Sequence, residues 1–125
     1  MDHEQVNILL VDDQPAKLLA YEVILKELGE NLIVATSGRE ALEILLKNEI
    51  AIVLMDIMMP QMDGYQTIGA IRLNPSFGRL PIIALTAKAM KGDREKCLEA
   101  GASDYLAKPV NTEQLLLAIR MWLHR

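Results

Sequence analysis

Five short, mostly apolar runs recur along the chain, at residues 6–11, 32–35, 51–55, 82–85 and 105–107, and a segment of helical spacing follows each one. Several of these runs are rich in β-branched residues and lack polar alternation. Strands of that kind are covered on both faces, as in a parallel sheet lying under helices. The intervening segments carry helix start and stop signals. Pro15 stands where a first helical residue belongs, Leu18, Tyr21, Leu25 and Leu28 share one face, and Gly29 ends the run. Ser37 and Glu40 have capping-box spacing ahead of Ala41, Leu42, Leu45 and Leu46. Asp63-Gly64 opens a third helix, and residues 91–100 form a fourth, closed by Gly101. Asn111 caps a last helix that carries Leu115, Ala118, Ile119 and Trp122.

Strand and helix thus alternate five times. Right-handed crossovers then favour an open parallel sheet with helices on both faces. The expected class is α/β, a (βα)5 doubly wound five-stranded parallel sheet with the flavodoxin-like order 2-1-3-4-5. Its ligand crevice lies at the carboxyl ends of strands one and three, where the winding changes direction. At 125 residues, with no linker, internal repeat or low-complexity segment, the chain reads as one domain over residues 5–125.

Composition removes several functions. A formal charge of −4 leaves no basic face to hold nucleic acid by counterion release, so direct nucleic-acid binding is not expected. No apolar stretch approaches the roughly 20 residues that span a bilayer, and the polar start of the chain has no signal-peptide pattern. No membrane association and a cytoplasmic location are the expectation. Cys97 is the only cysteine and reads as a packing thiol, while His3 and His124 sit at opposite ends of the chain. A catalytic histidine or a zinc site therefore has almost no material. Met55, Met58, Met59 and Met62 read as core filler rather than a soft-metal site.

The chemistry falls to the acids. Strand one ends in Asp12-Asp13 and strand three in Asp56, so three carboxylates flank the expected crevice. Packed together they repel one another unless a cation neutralises them. Mg2+ suits such a set, since it favours oxygen ligands and takes one or two carboxylates together with phosphate oxygens; Mn2+ could substitute. Thr86 ends strand four and Lys108 ends strand five, at the same edge. A hydroxyl and an ammonium beside a carboxylate-bound cation make a clamp for a phosphoryl group, and a carboxylate there can be its nucleophilic acceptor. Taken singly, each residue has a plainer role: a turn or helix cap for the acids, a strand-end hydroxyl for Thr86, a solvated surface side chain for Lys108. It is their convergence on one edge that favours the chemical role.

Asp12-Asp13, Asp56, Thr86 and Lys108-Pro109, in this order and spacing, resemble the receiver domains of bacterial response regulators in two-component systems. The likeness covers nearly the whole chain. It includes Met55-Asp56-Ile57-Met58-Met59-Pro60 with Met62-Asp63-Gly64, the strand at 81–86, and Gly101-Ala102-Ser103-Asp104-Tyr105-Leu106-Ala107-Lys108-Pro109. The resemblance implies that Asp56 is the phosphoacceptor, and that Asp12, Asp13, Asp56 and the main-chain carbonyl of Met58 hold Mg2+. It implies that Thr86 and Lys108 bind the phosphoryl oxygens, that the Lys108-Pro109 bond is cis, and that Tyr105 is the aromatic that turns inward with Thr86. Ala87, small, leaves the phosphoryl pocket open; Met58 and Lys88 fall at the family's tuning positions, where a bulky Met58 would shield the phosphorylated state from water.

By the same resemblance the donor is a histidine kinase or a histidine phosphotransfer protein. The output is a changed surface around the fourth helix, fifth strand and fifth helix, offered to a downstream protein, an attached domain or a second copy in a homodimer. The chain is then a signalling phosphoacceptor rather than an enzyme, either a stand-alone regulator or the receiver of a hybrid histidine kinase. The stretch Ala84-Leu85-Thr86-Ala87-Lys88-Ala89-Met90 resembles the hybrid type. Two rivals stand beside this reading. A magnesium-dependent phosphatase working through an aspartyl-phosphate needs a second acid and usually a cap domain, which a chain this short does not offer. A degenerate receiver acting only in docking is disfavoured by the complete set of acids, threonine and lysine.

Overall fold

The computed structural model describes residues 5–57, 63–86 and 92–124. Five strands, β1 (Asn7–Val11), β2 (Asn31–Ala35), β3 (Ile52–Asp56), β4 (Ile82–Thr86) and β5 (Asp104–Ala107), alternate with helices α1 (Pro15–Leu25), α2 (Gly38–Lys47), α3 (Gly64–Arg72), α4 (Asp93–Ala100) and α5 (Thr112–Leu123). The strands form one sheet in the order β2-β1-β3-β4-β5, and every neighbouring pair is parallel. The doubly wound α/β class and the strand order expected from the sequence are both observed.

Burial explains why the strands lack polar alternation. Every residue of β3 and β4 is buried, and in β1 all but Asn7. The two edges differ: β5 is half-buried throughout, and β2 is buried only at Ala35. Successive side chains of a strand point to opposite faces, so the sheet divides the apolar residues into two cores. Leu9, Val11, Val53, Met55, Ile82 and Ala84 pack with Ala41 and Leu45 of α2, Ile68 and Ile71 of α3, and Cys97 of α4. Ile8, Leu10, Ile52, Leu54, Ile83 and Leu85 pack with Leu18, Tyr21 and Leu25 of α1 and Leu115 and Ile119 of α5.

The caps are those the sequence signalled. Ser37, Asp63 and Asn111 accept from the third residue of their helices, and Asp63 and Gln66 form a reciprocal capping box. The inward stripe that runs on to Leu28 is not all α-helix: α1 ends at Leu25, a 3-10 turn covers Lys26–Leu28, and Gly29 closes it at φ 69°. The expected fourth helix, from residue 91, starts instead at Asp93, after Gly92 at φ 97°. Gly101 ends it at φ 117°, a backbone region that favours glycine.

Far from the acids, Arg72 fastens α3 to the segment before β5. Its guanidinium donates to the carbonyls of Gly101 (2.8 Å) and Phe77 (2.7 Å) and to Ser103 Oγ (3.3 Å). Ser103 Oγ also accepts from the N–H of Ile82, at 3.1 Å. The start of β4 and the start of β5 are tied together in this way.

Candidate functional site

The carboxyl ends of β1 and β3 lie side by side, with Val11 opposite Met55, and Asp56 is opposite Leu85 of β4. The main chain beyond each strand is then held in place. Asp12 N–H donates to Ala35 O at 3.1 Å, and Ile57 N–H to Leu85 O at 3.0 Å. Asp12, Asp13 and Asp56 each aim a carboxylate oxygen inward, all within 4.8 Å of one another. Asp12 and Asp56 are 0% and 1% exposed, and Asp13 is half-buried.

Burial of this kind is costly for a carboxylate. Burial therefore pushes the Asp12 carboxyl above its ordinary value; the Gln14 N–H, 3.0 Å from Oδ1, opposes the rise, and the charge of Asp56 adds to it. Oδ2 of Asp12 and Oδ1 of Asp13 are buried with no hydrogen-bond partner among the described residues. Acceptor oxygens left in that state, from a set of hard oxygen donors, fit a small divalent cation such as Mg2+.

Lys108 reaches the same edge from β5. Its main-chain N–H donates to Thr86 O at 2.6 Å, which fixes the chain past the strand end, and its Nζ donates to Asp56 Oδ1 at 2.6 Å. With its side chain only 14% exposed, it is not a solvated surface lysine. The Lys108–Pro109 peptide is cis. Thr86 is 4% exposed and, by strand alternation, shares a face with Ala84, opposite that of Asp56. Tyr105 sits opposite Ala84 in the ladder and packs into the same core, so Thr86 and Tyr105 lie on one face of neighbouring strands. Of the remaining expected residues, Met58, Ala87 and Lys88 lie outside the described residues.

By sequence alone Tyr21 is one more packing residue on the α1 stripe. It lies 8% exposed on the inward face of α1, and its phenol is pushed up to about 12, first by burial and then by the negative charges of Asp12 and Asp56. Its only trace in the sequence is a hydroxyl on an otherwise apolar stripe. A phenol held protonated by the fold contributes stability in full below its unfolded value near 10, and that stability is lost as pH rises through 12. Tyr21→Phe should therefore flatten the alkaline limb of the stability curve. The difference between wild type and variant should change by about 2 to 3 kcal/mol from pH 9 to pH 12, read from urea midpoints; parallel alkaline limbs would contradict it.

Three comparisons with known proteins bear on this site. The family model described as the response regulator receiver domain matches residues 8–120. The sensor protein GacS of Pseudomonas syringae pv. syringae is 37% identical over 118 residues, which is 92% of this chain and 13% of that protein. The chain thus spans about an eighth of the length of that relative. Among solved structures, the receiver domain of the sensor histidine kinase PA1611 from Pseudomonas aeruginosa, with a magnesium ion coordinated in its active site cleft, superposes with a TM-score of 0.89 at 38% identity, covering 98% of this chain and all of that one. The chemotaxis protein CheY4 of Vibrio cholerae matches with a TM-score of 0.89 at 28% identity, covering 96% of this chain and 100% of its own.

Proposed function

Because the chain belongs to the response regulator receiver domain family of two-component signalling, we propose that Asp56 is the phosphoacceptor of a phosphorelay and that its phosphorylation drives a conformational switch. One observation carries this reading: three carboxylates and one ammonium meet at the ends of β1, β3 and β5, with Lys108 Nζ 2.6 Å from Asp56.

The Asp56 carboxylate attacks the phosphorus of a partner's phosphohistidine. An O–P bond forms as the P–N bond breaks, and the imidazole leaves with the electron pair of that bond. The partner is a histidine kinase or a histidine phosphotransfer protein. Asp12, Asp13 and Asp56 would hold Mg2+ or Mn2+, joined, as the family resemblance implies, by the main-chain carbonyl of Met58, which lies outside the described residues. When bound, the cation offsets the charge of the acids and of the phosphoryl oxygens. Lys108 holds the carboxylate in its resting place and then follows the charge to a phosphoryl oxygen. The Thr86 hydroxyl donates to another.

These two contacts exist only in the phosphorylated arrangement, and a differential contact is what lets a modification select one of two states. Thr86 is drawn toward the phosphoryl group and Tyr105, on the same face, takes the space it leaves. The surface of α4, β5 and α5 changes with them and is read by a downstream protein or an attached domain. The reaction of the chain itself ends with one acyl phosphate and its slow hydrolysis, which Met58 retards.

Incubating the native chain with acetyl phosphate and Mg2+, then weighing it intact and mapping the site after borohydride reduction, tests the reading. Expected is a single phosphoryl group on Asp56, absent when the cation is chelated. An adduct elsewhere, no adduct, or rapid repeated hydrolysis of aryl phosphates would overturn it.

A further inference from the structure

We propose that Gly64 is a positioning residue for Asp56: the bare Cα at the start of α3 seats the peptide that joins Asp56 to Ile57 and so sets where the carboxylate stands. The inference rests on the phosphoacceptor reading above and adds to it a residue outside the acid, threonine and lysine set.

A methyl group built on Gly64 would lie 2.5 Å from Ile57 Cα, 2.6 Å from Asp56 O and 2.8 Å from Ile57 Cδ1. Two of these atoms are main chain, so no rotamer change relieves the clash. Gly64 is not among the glycines of positive φ, which are Gly29, Gly92 and Gly101. Its requirement is therefore close approach, not an unusual backbone conformation. The approach is also bonded, since Gly64 N–H donates to Ile57 O at 3.1 Å.

Neither side of this contact is free to yield. The Asp56–Ile57 peptide is tied to β4 through Ile57 N–H and Leu85 O, at 3.0 Å. The start of α3 is fixed by the box in which Gln66 N–H donates to Asp63 Oδ1 (2.8 Å) and Asp63 N–H to Gln66 Oε1 (3.0 Å), and by Thr67 Oγ1 donating to Asp63 O (2.9 Å). Ile68 and Ile71, both fully buried, anchor the rest of the helix in the core. Ordinary contact begins at 3.4 Å, so a methyl at Gly64 must part α3 from the Asp56–Ile57 peptide by roughly 1 Å, and with both sides tied the peptide takes a share of that shift. A displacement of that size in a reacting group costs about 10²-fold in rate. Gly69, in the same helix, supplies the contrast: a methyl there meets nothing within 4 Å.

The test compares Gly64→Ala with Gly69→Ala and with Ile119→Val, which thins the core on the opposite face of the sheet. Each variant is confirmed folded by circular dichroism, then titrated with Mg2+ alone and timed for phosphoryl uptake from acetyl phosphate at saturating Mg2+. Gly64→Ala should bind Mg2+ at least ~10-fold more weakly and take up phosphate about 10²-fold more slowly. Ile119→Val should melt lower with both values unchanged, and Gly69→Ala should keep both. Wild-type uptake reports on the phosphoacceptor reading, while the ratio of variant to wild type reports on Gly64. A folded Gly64→Ala with wild-type affinity and rate would overturn the proposal. Should Gly64→Ala not fold, Asp63→Ala decides, because it frees the start of α3 without adding a methyl: a few-fold loss in Mg2+ affinity supports the seat, and wild-type values overturn it.

Discussion

Asp56→Asn is expected to take up no phosphoryl group under conditions that label the native chain fully, a fall of at least ~10³-fold in the rate of adduct formation. The substitution removes the nucleophile and little else. Asparagine matches aspartate in shape, so β3 keeps its pairing with β1 and β4, whose register here is carried by the main chain of Asp56 opposite Leu85. Two electrostatic effects of the change oppose each other. One negative charge leaves a cluster of three, which relieves repulsion. Lys108 also loses its ionic partner at 2.6 Å, and with its side chain only 14% exposed that loss costs more than it would at the surface. The two effects offset in part, so stability should move by no more than about 3 kcal/mol in either direction. Intact mass after acetyl phosphate treatment, alongside a thermal melt, separates loss of chemistry from loss of fold. Adduct on position 56 of the variant, or labelling at the native rate, would refute the assignment of the nucleophile.

The acid cluster was legible because its parts follow from sequence by short steps. A run such as 51–55, wholly apolar and ending in Asp56, can hardly be anything but a central strand, and β3 is buried at every position. Alternation with helices then orders the sheet, and the order alone brings Asp12, Asp13 and Asp56 to neighbouring strand ends. Lys108 was legible for the same reason, although a lysine before a proline reads by itself as a surface residue.

Long-range partnerships of single atoms were not legible. Arg72 reads as an ordinary basic residue at a helix end, and only the fold shows its guanidinium spanning Phe77, Gly101 and Ser103. Asp63-Gly64 reads as a cap and turn, which it is. Periodicity carries no record of how near α3 comes to Ile57, so the close approach of Gly64 could not be read from it. Trp122 reads as core and face lining, but its indole N–H also donates to Asp104 Oδ2 at 3.2 Å, joining the last turns of α5 to the start of β5. Helix ends were the other weak point, since a 3-10 turn at Lys26–Leu28 keeps the inward stripe going after the α-helix has stopped.

Asp12→Asn should make the cation-free protein more stable by about 1 to 3 kcal/mol at neutral pH while weakening Mg2+ binding at least ~10²-fold. Asp12 is fully buried, and its Oδ2 has no hydrogen-bond partner among the described residues. Burial first, and then the charge of Asp56, raise its carboxyl, so the fold disfavours the ionised form. The amide keeps an oxygen for the Gln14 N–H and can turn its NH2 toward the neighbouring carboxylates, replacing repulsion with donation. The pH dependence follows from the raised carboxyl. Its stabilising contribution is complete below the unfolded value near 4 and is lost as pH rises through the folded value, so the variant's advantage should be largest at neutral pH and vanish in acid. Divalent cation reverses the order, because binding to the native state stabilises wild type in proportion to ln(1 + [L]/Kd) and a chain lacking one ligand gains far less. Melting both proteins with EDTA and with excess Mg2+ therefore gives opposite rankings. A variant that is less stable in EDTA at neutral pH, or that gains as much from Mg2+ as wild type does, would mean that Asp12 is buried for some reason other than holding a cation.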